Sequence, residues 1–130
     1  MQFPEDLKYT ESDEWIRVEG NQATTGLTDY AQDQLSDIVY VEAAVDVGNT
    51  LAKGEAHSAV ESVKAAADVY MPVGGTISAI NEALVETPEL VNSDPYGEAW
   101  LVKFEISDAA ELDALMDQAA YTKHVEEREG

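Results

Sequence analysis

A chain of 130 residues with 27 acidic and seven basic side chains carries a formal charge of −20. That balance argues against nucleic acid or an anionic membrane surface as partner, because counterion release needs lysine and arginine clusters that are missing here. The absence of cysteine excludes disulfides, a thiolate zinc site and a cysteine nucleophile, and the length suits one domain with a modest core.

The N-terminal Met1-Gln2-Phe3-Pro4-Glu5-Asp6 has no basic stretch followed by an apolar run, so no signal peptide is expected. No apolar stretch approaches the ~18–20 residues of a membrane helix, and a cytoplasmic protein is expected. The acidity reads as a solvated coat adapted to high salt, where a Debye length of ~3 Å at 1 M screens self-repulsion. Its other use would be steering toward basic patches on partner enzymes.

Residues 15–18 and 22–25 read as strands of a hairpin turning at Glu19-Gly20-Asn21. Asp29 is placed to cap a short helix, with Gln32 three residues on and Tyr30, Ala31 and Leu35 as its apolar side. Strands are predicted over 38–41 and 43–47, with turns at Gly48-Asn49 and Lys53-Gly54. Residues 56–62 alternate loosely on a period of two, and Val69-Tyr70-Met71 resumes β character. Lys64 falls between them, flanked by Val63 and Ala65, and reads as the tip of a second hairpin with a sterically open amine. Residues 73–80 give a further strand, Thr87-Pro88 a brief helical turn, and 99–106 a strand alternating through Trp100, Val102, Phe104 and Ile106. A helix is predicted over about 108–124, with Asp108 and Glu111 at capping-box spacing and Leu112, Leu115, Met116 and Tyr121 on its packing face. The last residues, from 126 on, are expected to fray.

Other sites fail on chemistry. His57 and His124 lack a ligand spacing. Asn92-Ser93-Asp94-Pro95-Tyr96-Gly97 puts Tyr96 at the fifth position of a calcium loop and Lys103 at the twelfth. Gly74-Gly75-Thr76 lacks the Gly-Lys-Ser/Thr of a phosphate loop. His57 and Ser58, as strand neighbours, are expected to point to opposite faces. No enzyme is legible.

The segment Glu61-Ser62-Val63-Lys64-Ala65 resembles the lipoyl-attachment hairpin of lipoylated carrier domains; biotin carriers usually flank the lysine with methionines. Around it, Lys8-Tyr9-Thr10, Glu14-Trp15, Gly26-Leu27-Thr28-Asp29-Tyr30-Ala31-Gln32, Gln34-Leu35-Ser36-Asp37-Ile38-Val39-Tyr40-Val41, Asn81-Glu82-Ala83-Leu84 and the run from Pro88 to Leu101 stand in the order found in the glycine cleavage H-protein family. The chain is similar to that family over roughly residues 7–121, with Asp13 where the family commonly has histidine.

The resemblance implies a mostly β fold, a flattened lipoyl/biotinyl-type barrel-sandwich with a short helix in the N-terminal half and a C-terminal helix. One carrier domain would span 1–130, with a lipoyl-like core over about 22–106. It implies lipoate joined to Lys64 as an amide, and a cleft for the aminomethyl-bearing arm built from Ser12, Glu14 and Asp68. It implies a carrier, not an enzyme, serving glycine decarboxylase (P protein), the aminomethyltransferase (T protein) and dihydrolipoamide dehydrogenase (L protein), and lipoylated by a lipoate ligase or octanoyltransferase. A lipoate-relay carrier would use the same lysine. The lipoyl domain of a 2-oxoacid dehydrogenase acyltransferase would be shorter, with a Pro/Ala-rich linker and catalytic domain after it.

Overall fold

The computed structural model describes residues 1–129 as two antiparallel sheets with helices packed at their edges. In chain order the elements are β1 (Lys8–Tyr9), β2 (Glu14–Glu19), β3 (Gln22–Leu27), α1 (Asp29–Leu35), β4 (Ile38–Ala43), β5 (Thr50–Leu51), β6 (Ala56–Ser62), β7 (Ala66–Tyr70), β8 (Gly75–Ile80), α2 (Ala83–Glu86), α3 (Leu90–Ser93), β9 (Val102–Ile106), a 3-10 turn (Ala109–Ala114) and α4 (Gln118–Glu129). One sheet runs β1-β2-β3-β9-β8-β5 and the other β4-β6-β7. The mostly β fold with two sheets, an early short helix and a C-terminal helix is the one expected, although the sheets do not close into a barrel.

The hairpin β2–β3 turns on Gly20 and Asn21, with Gly20 at φ 64°, a region open to glycine. Strand β9 alternates as expected: Val102, Phe104 and Ile106 are buried and Lys103 and Glu105 exposed. Its inner face packs with Ile16, Ala23, Met71 and Ile77. A second cluster joins the small sheet to the helices through Val41, Val60, Val69, Ala31, Leu84 and Val91. A third is aromatic, with Tyr9 stacked on Tyr121 at 4.6 Å and 8°, and Trp15, Tyr30 and Val125 around them.

Several expected boundaries move, for physical reasons. The cap of α1 is Thr28, whose hydroxyl accepts from the Ala31 amide at 3.1 Å; Asp29 sits in the first turn and instead accepts from Gln2 N and Gln32 Nε2. Residues 44–47 are not a strand. The paired register with β6 ends at Ala43, Ala44 N adds one last bond to His57 O at 2.8 Å, and Asp46 and Asn49 then close a turn through Asp46 N donating to Asn49 Oδ1. Strand β8 starts at Gly75 and β9 at Val102, later than predicted, and α2 was not foreseen.

The C-terminal helix is broken in two. Asp108 caps as expected by accepting from Ala110 N, but Glu111 reaches across to accept from Gly74 N at 2.8 Å, so the capping box never closes. The first segment is a 3-10 turn; then Met116 goes extended and exchanges both backbone hydrogen bonds with Tyr9. Only afterwards does α4 begin, with Asp117 accepting from Ala120 N. The end expected to fray is helical through Glu129, because Arg128 is bound bidentately to Asp13 at 2.7 and 2.9 Å. Gly130 lies outside the described residues.

Candidate functional site

Lys64 lies in the turn between β6 and β7, as the sequence predicted. The turn is ordered by its own backbone and one serine. Ser62 N donates to Ala65 O at 2.7 Å, and Ser62 Oγ accepts from Ala65 N at 3.0 Å and from Lys64 N at 3.3 Å. Val63 N anchors the turn to Asp37 O at 3.0 Å. Val63, Lys64, Ala65 and Ala66 are all exposed, and among the described residues no hydrogen bond or ion pair uses the Lys64 ammonium. The backbone is fixed and the amine is free.

Ser12 and Glu14 are brought together on the loop leading into β2. Glu14 is buried, 1% exposed, and its Oε1 accepts from the Ser12 hydroxyl at 2.7 Å and from the Thr10 hydroxyl. Tyr70 N makes a long contact of 3.5 Å to Oε2. Burial holds the carboxyl above the usual carboxylate range, with the Asp13 charge adding to the rise, while the hydroxyls of Thr10 and Ser12 and the Tyr70 amide oppose it. Glu14 and Ser12 line a cleft of about 480 Å³ together with Tyr70, Met71, Pro72, Leu115 and Met116, and with Lys53 and Gly54. The lining mixes hydroxyl and carboxylate groups with apolar, thioether-bearing side chains, which suits a hydrocarbon arm with a cationic end.

Asp68 is not part of this cleft lining. It pairs opposite Ala59 and is exposed on the same face of β7 as Ala66 and Tyr70. The line Ala66, Asp68, Tyr70 spans about 13 Å at a rise of ~3.3 Å per residue, leading from the Lys64 turn to the cleft wall. Asp68 therefore lies on β7 between the Lys64 turn and the cleft-lining Tyr70.

Thr10, Lys53, Tyr70, Met71, Leu115 and Met116 were missed as cleft residues. Only Thr10 had a readable signal, as a hydroxyl alternating with Ser12 and Glu14. The others are assembled by tertiary packing. The Asp13 position carries φ 72°, which aspartate tolerates, and its carboxylate accepts from Tyr121 Oη at 2.8 Å as well as from Arg128.

His57 and Ser58 depart from expectation. Both are buried and their side chains meet, His57 Nδ1 to Ser58 Oγ at 2.8 Å. The register of β6 against β7 slips between Ala56 and Ser58, so the alternation that would separate neighbours is broken by a bulge. His57 Nε2 has no partner among the described residues.

Two antiparallel sheets presenting a free lysine on an ordered hairpin turn, with a partly apolar cleft at the other end of β7, define a carrier-type domain. Comparison with known proteins gives that class a family. The family model described as Glycine cleavage H-protein matches residues 7–128. The chain is 51% identical over 124 residues to Glycine cleavage system H protein 2, mitochondrial, of Arabidopsis thaliana, covering 95% of this chain and 79% of that one. It is 53% identical over 121 residues to the Glycine cleavage system H protein of Bacteroides thetaiotaomicron, covering 93% and 95%. A crystal structure of the glycine cleavage system H protein from Mycobacterium marinum superposes with a TM-score of 0.86 at 31% identity, covering 95% and 99%. The chain belongs to the glycine cleavage H-protein family, and its function is that of the lipoyl carrier of the glycine cleavage system. These relatives, named for glycine cleavage, do not favour the lipoate-relay alternative.

Proposed function

We propose that this chain, a single carrier domain over its whole length, bears lipoate as an amide on Lys64. The observation that carries the reading is the turn itself: Ser62 fixes the backbone on both sides of Lys64, while among the described residues nothing engages the ammonium. A lipoate ligase or octanoyltransferase could grip such a turn without unfolding it. The bound dithiolane would supply the sulfur that takes up the aminomethyl unit and the electrons exchanged with dihydrolipoamide dehydrogenase. The chain's own residues contribute position and shelter, and no reacting group. Ser12 and Glu14 receive the cationic end of the cargo in the cleft, Glu14 by a charge-assisted hydrogen bond. Asp68 attracts the same cation along β7. In this way the carrier passes its load from glycine decarboxylase to the aminomethyltransferase.

Intact mass and peptide mapping of native protein test the reading. A lipoyl increment is expected at Lys64, lost in Lys64→Ala with an unchanged thermal melt. Biotin at Lys64, or lipoate on Lys53 or Lys103, would overturn it. Cargo shelter is tested by loading Glu14→Gln and Asp68→Asn proteins and following formaldehyde and ammonia release. A charge-assisted hydrogen bond is worth roughly 1.5–3 kcal/mol, so release about ten- to hundredfold faster is expected for Glu14→Gln and less for the exposed Asp68. The proposal places the carrier in the cytoplasm of a cell with high internal salt, to be checked by fractionation. With −20 on a small domain, its melting temperature is expected to rise with potassium chloride into the molar range.

A further inference from the structure

We propose that Thr10 is a positioning residue that, with Ser12, saturates one oxygen of Glu14 and so presents the other, Oε2, to the cargo in the cleft. This rests on the cargo reading above and assigns the atom that does the holding.

A hydroxyl has one hydrogen to give and room to accept. Thr10 Oγ1 uses both capacities on the same residue: it accepts from Glu14 N at 3.0 Å and donates to Glu14 Oε1. Ser12 Oγ donates to that same oxygen at 2.7 Å. Oε1 thus carries two hydroxyl donors, whereas among the described residues Oε2 has only the Tyr70 amide at 3.5 Å, the weakest contact to the carboxylate. The carboxylate is held firmly by one oxygen and weakly by the other, and Glu14, although only 1% exposed, lines the cleft. Thr10 also lines the cleft and lies 3.4 Å from Ser12 Oγ, but its one hydrogen is given to Glu14 Oε1, so it acts through that carboxylate.

The loop around this bracket is rigid. Thr10 N donates to Glu14 O at 3.0 Å and Asp13 N to Thr10 O at 3.2 Å, while the Asp13 side chain is clamped by Tyr121 and Arg128. A bracket on a fixed loop sets the carboxylate's direction and also favours its ionised form, because both hydroxyls bond the charged state better. Burial works against that ionised form. The other charged or titratable groups facing Glu14 are Asp13 beside it, Glu11 and Lys53 in the cleft lining, Tyr9 from β1 and Tyr70 from β7.

The test uses unlipoylated protein and needs no arm. The Glu14 side-chain carboxyl is followed by carbon-13 NMR against pH in the parent, Thr10→Val, Thr10→Ala and Thr10→Ser. Losing a hydroxyl bond to the charged form is expected to raise the Glu14 midpoint by roughly one to two pH units in both the valine and alanine proteins. Serine is expected to restore it to within a few tenths. A midpoint unmoved in valine and alanine, or a serine protein that behaves like them, overturns the role of Thr10. The cargo reading fails separately, if lipoylated and loaded Glu14→Gln loses its aminomethyl group no faster than the parent.

Discussion

The Lys64 turn and the Thr10–Glu14 loop are both short connections into a strand, yet they are built by opposite means. At the turn, the hydrogen bonds stay within residues 62–65, apart from the one from Val63 to Asp37, and the side chains around Lys64 face solvent. In the loop, Asp13 reaches Tyr121 and Arg128, Glu14 touches Tyr70, and the neighbouring Trp15 donates its indole N–H to Pro95 O at 2.9 Å. On the proposed reading, a lysine that successive enzymes must grasp gains from being fastened mainly by local bonds. On the same reading, a carboxylate that shelters a cation needs burial, and burial in a chain this size requires help from distant segments.

The largest effect should therefore separate the two regions by stability. Trp15 is fully buried, and a Cβ at the facing Gly26 would lie only 2.9 Å from its indole nitrogen, so the ring fills its slot. Trp15→Ala is expected to cost about 3–5 kcal/mol in urea unfolding. Val63→Ala, at a side chain 67% exposed beside Lys64, is expected to stay within about 0.5 kcal/mol. Comparable costs would show that the turn is wired into the fold after all.

The next effect sharpens the contrast within the hairpin, between its free tip and its buried root. Burial lowers the His57 pKa to about 4 from 6.5. A histidine depressed in the folded state adds stability that is complete above the unfolded value and is lost as pH falls toward the folded one. Roughly 3 kcal/mol should disappear between those two values. Thermal melts across this window should show the loss in the parent and a flatter profile in His57→Leu. Parallel profiles would mean His57 protonates without opening the bulge.

A smaller effect concerns the loop's remote tie. Arg128 is about a third exposed, its side chain at 35%, which discounts the ion pair itself. Asp13 also receives the Tyr121 hydroxyl and occupies a left-handed backbone conformation. Asp13→Ala is expected to cost about 1–2 kcal/mol, and Asp13→Asn, which keeps the tyrosine bond and tolerates the backbone, less than half of that. Hydrogen exchange at the end of α4 should rise in both. Equal costs would assign the whole effect to charge.

What was legible in the sequence follows the same division. The hairpin with Lys64, the alternation of Val102, Phe104 and Ile106 and the capping role of Asp108 rest on local signals, and they stand in the structure. The errors arose where a distant partner outbid a local one. Glu111 left its expected cap for Gly74, Thr28 displaced Asp29 as cap while also bonding Tyr121, and the His57 bulge defeated simple alternation. Ser12 and Glu14 came from family resemblance, and their hydrogen bond is in the structure. The apolar lining from Met71, Leu115 and Met116 was invisible, because it joins segments more than 40 residues apart through tertiary packing and through long-range bonds such as Glu111 to Gly74.

The smallest expected effect is the one where stability and function should point in opposite directions. Burial and the Asp13 charge hold the Glu14 carboxyl above its unfolded value. A carboxyl raised in the folded state costs stability once pH climbs past the unfolded pKa, because the unfolded chain ionises first. Glutamine keeps the shape, can still accept from the Thr10 and Ser12 hydroxyls through its amide oxygen, and has no charge to desolvate. Glu14→Gln should therefore be as stable as the parent at neutral pH, or up to about 1 kcal/mol more so. The difference should vanish at acid pH, where the parent carboxyl is protonated too. The same protein should hold its aminomethyl cargo less well. Urea unfolding at neutral and acid pH, run beside the release assay, measures both. A Glu14→Gln protein that is less stable than the parent at neutral pH would show that the carboxylate is a structural tie of the loop, and the contrast between a locally fastened lysine and a functionally strained carboxylate would lose its second half.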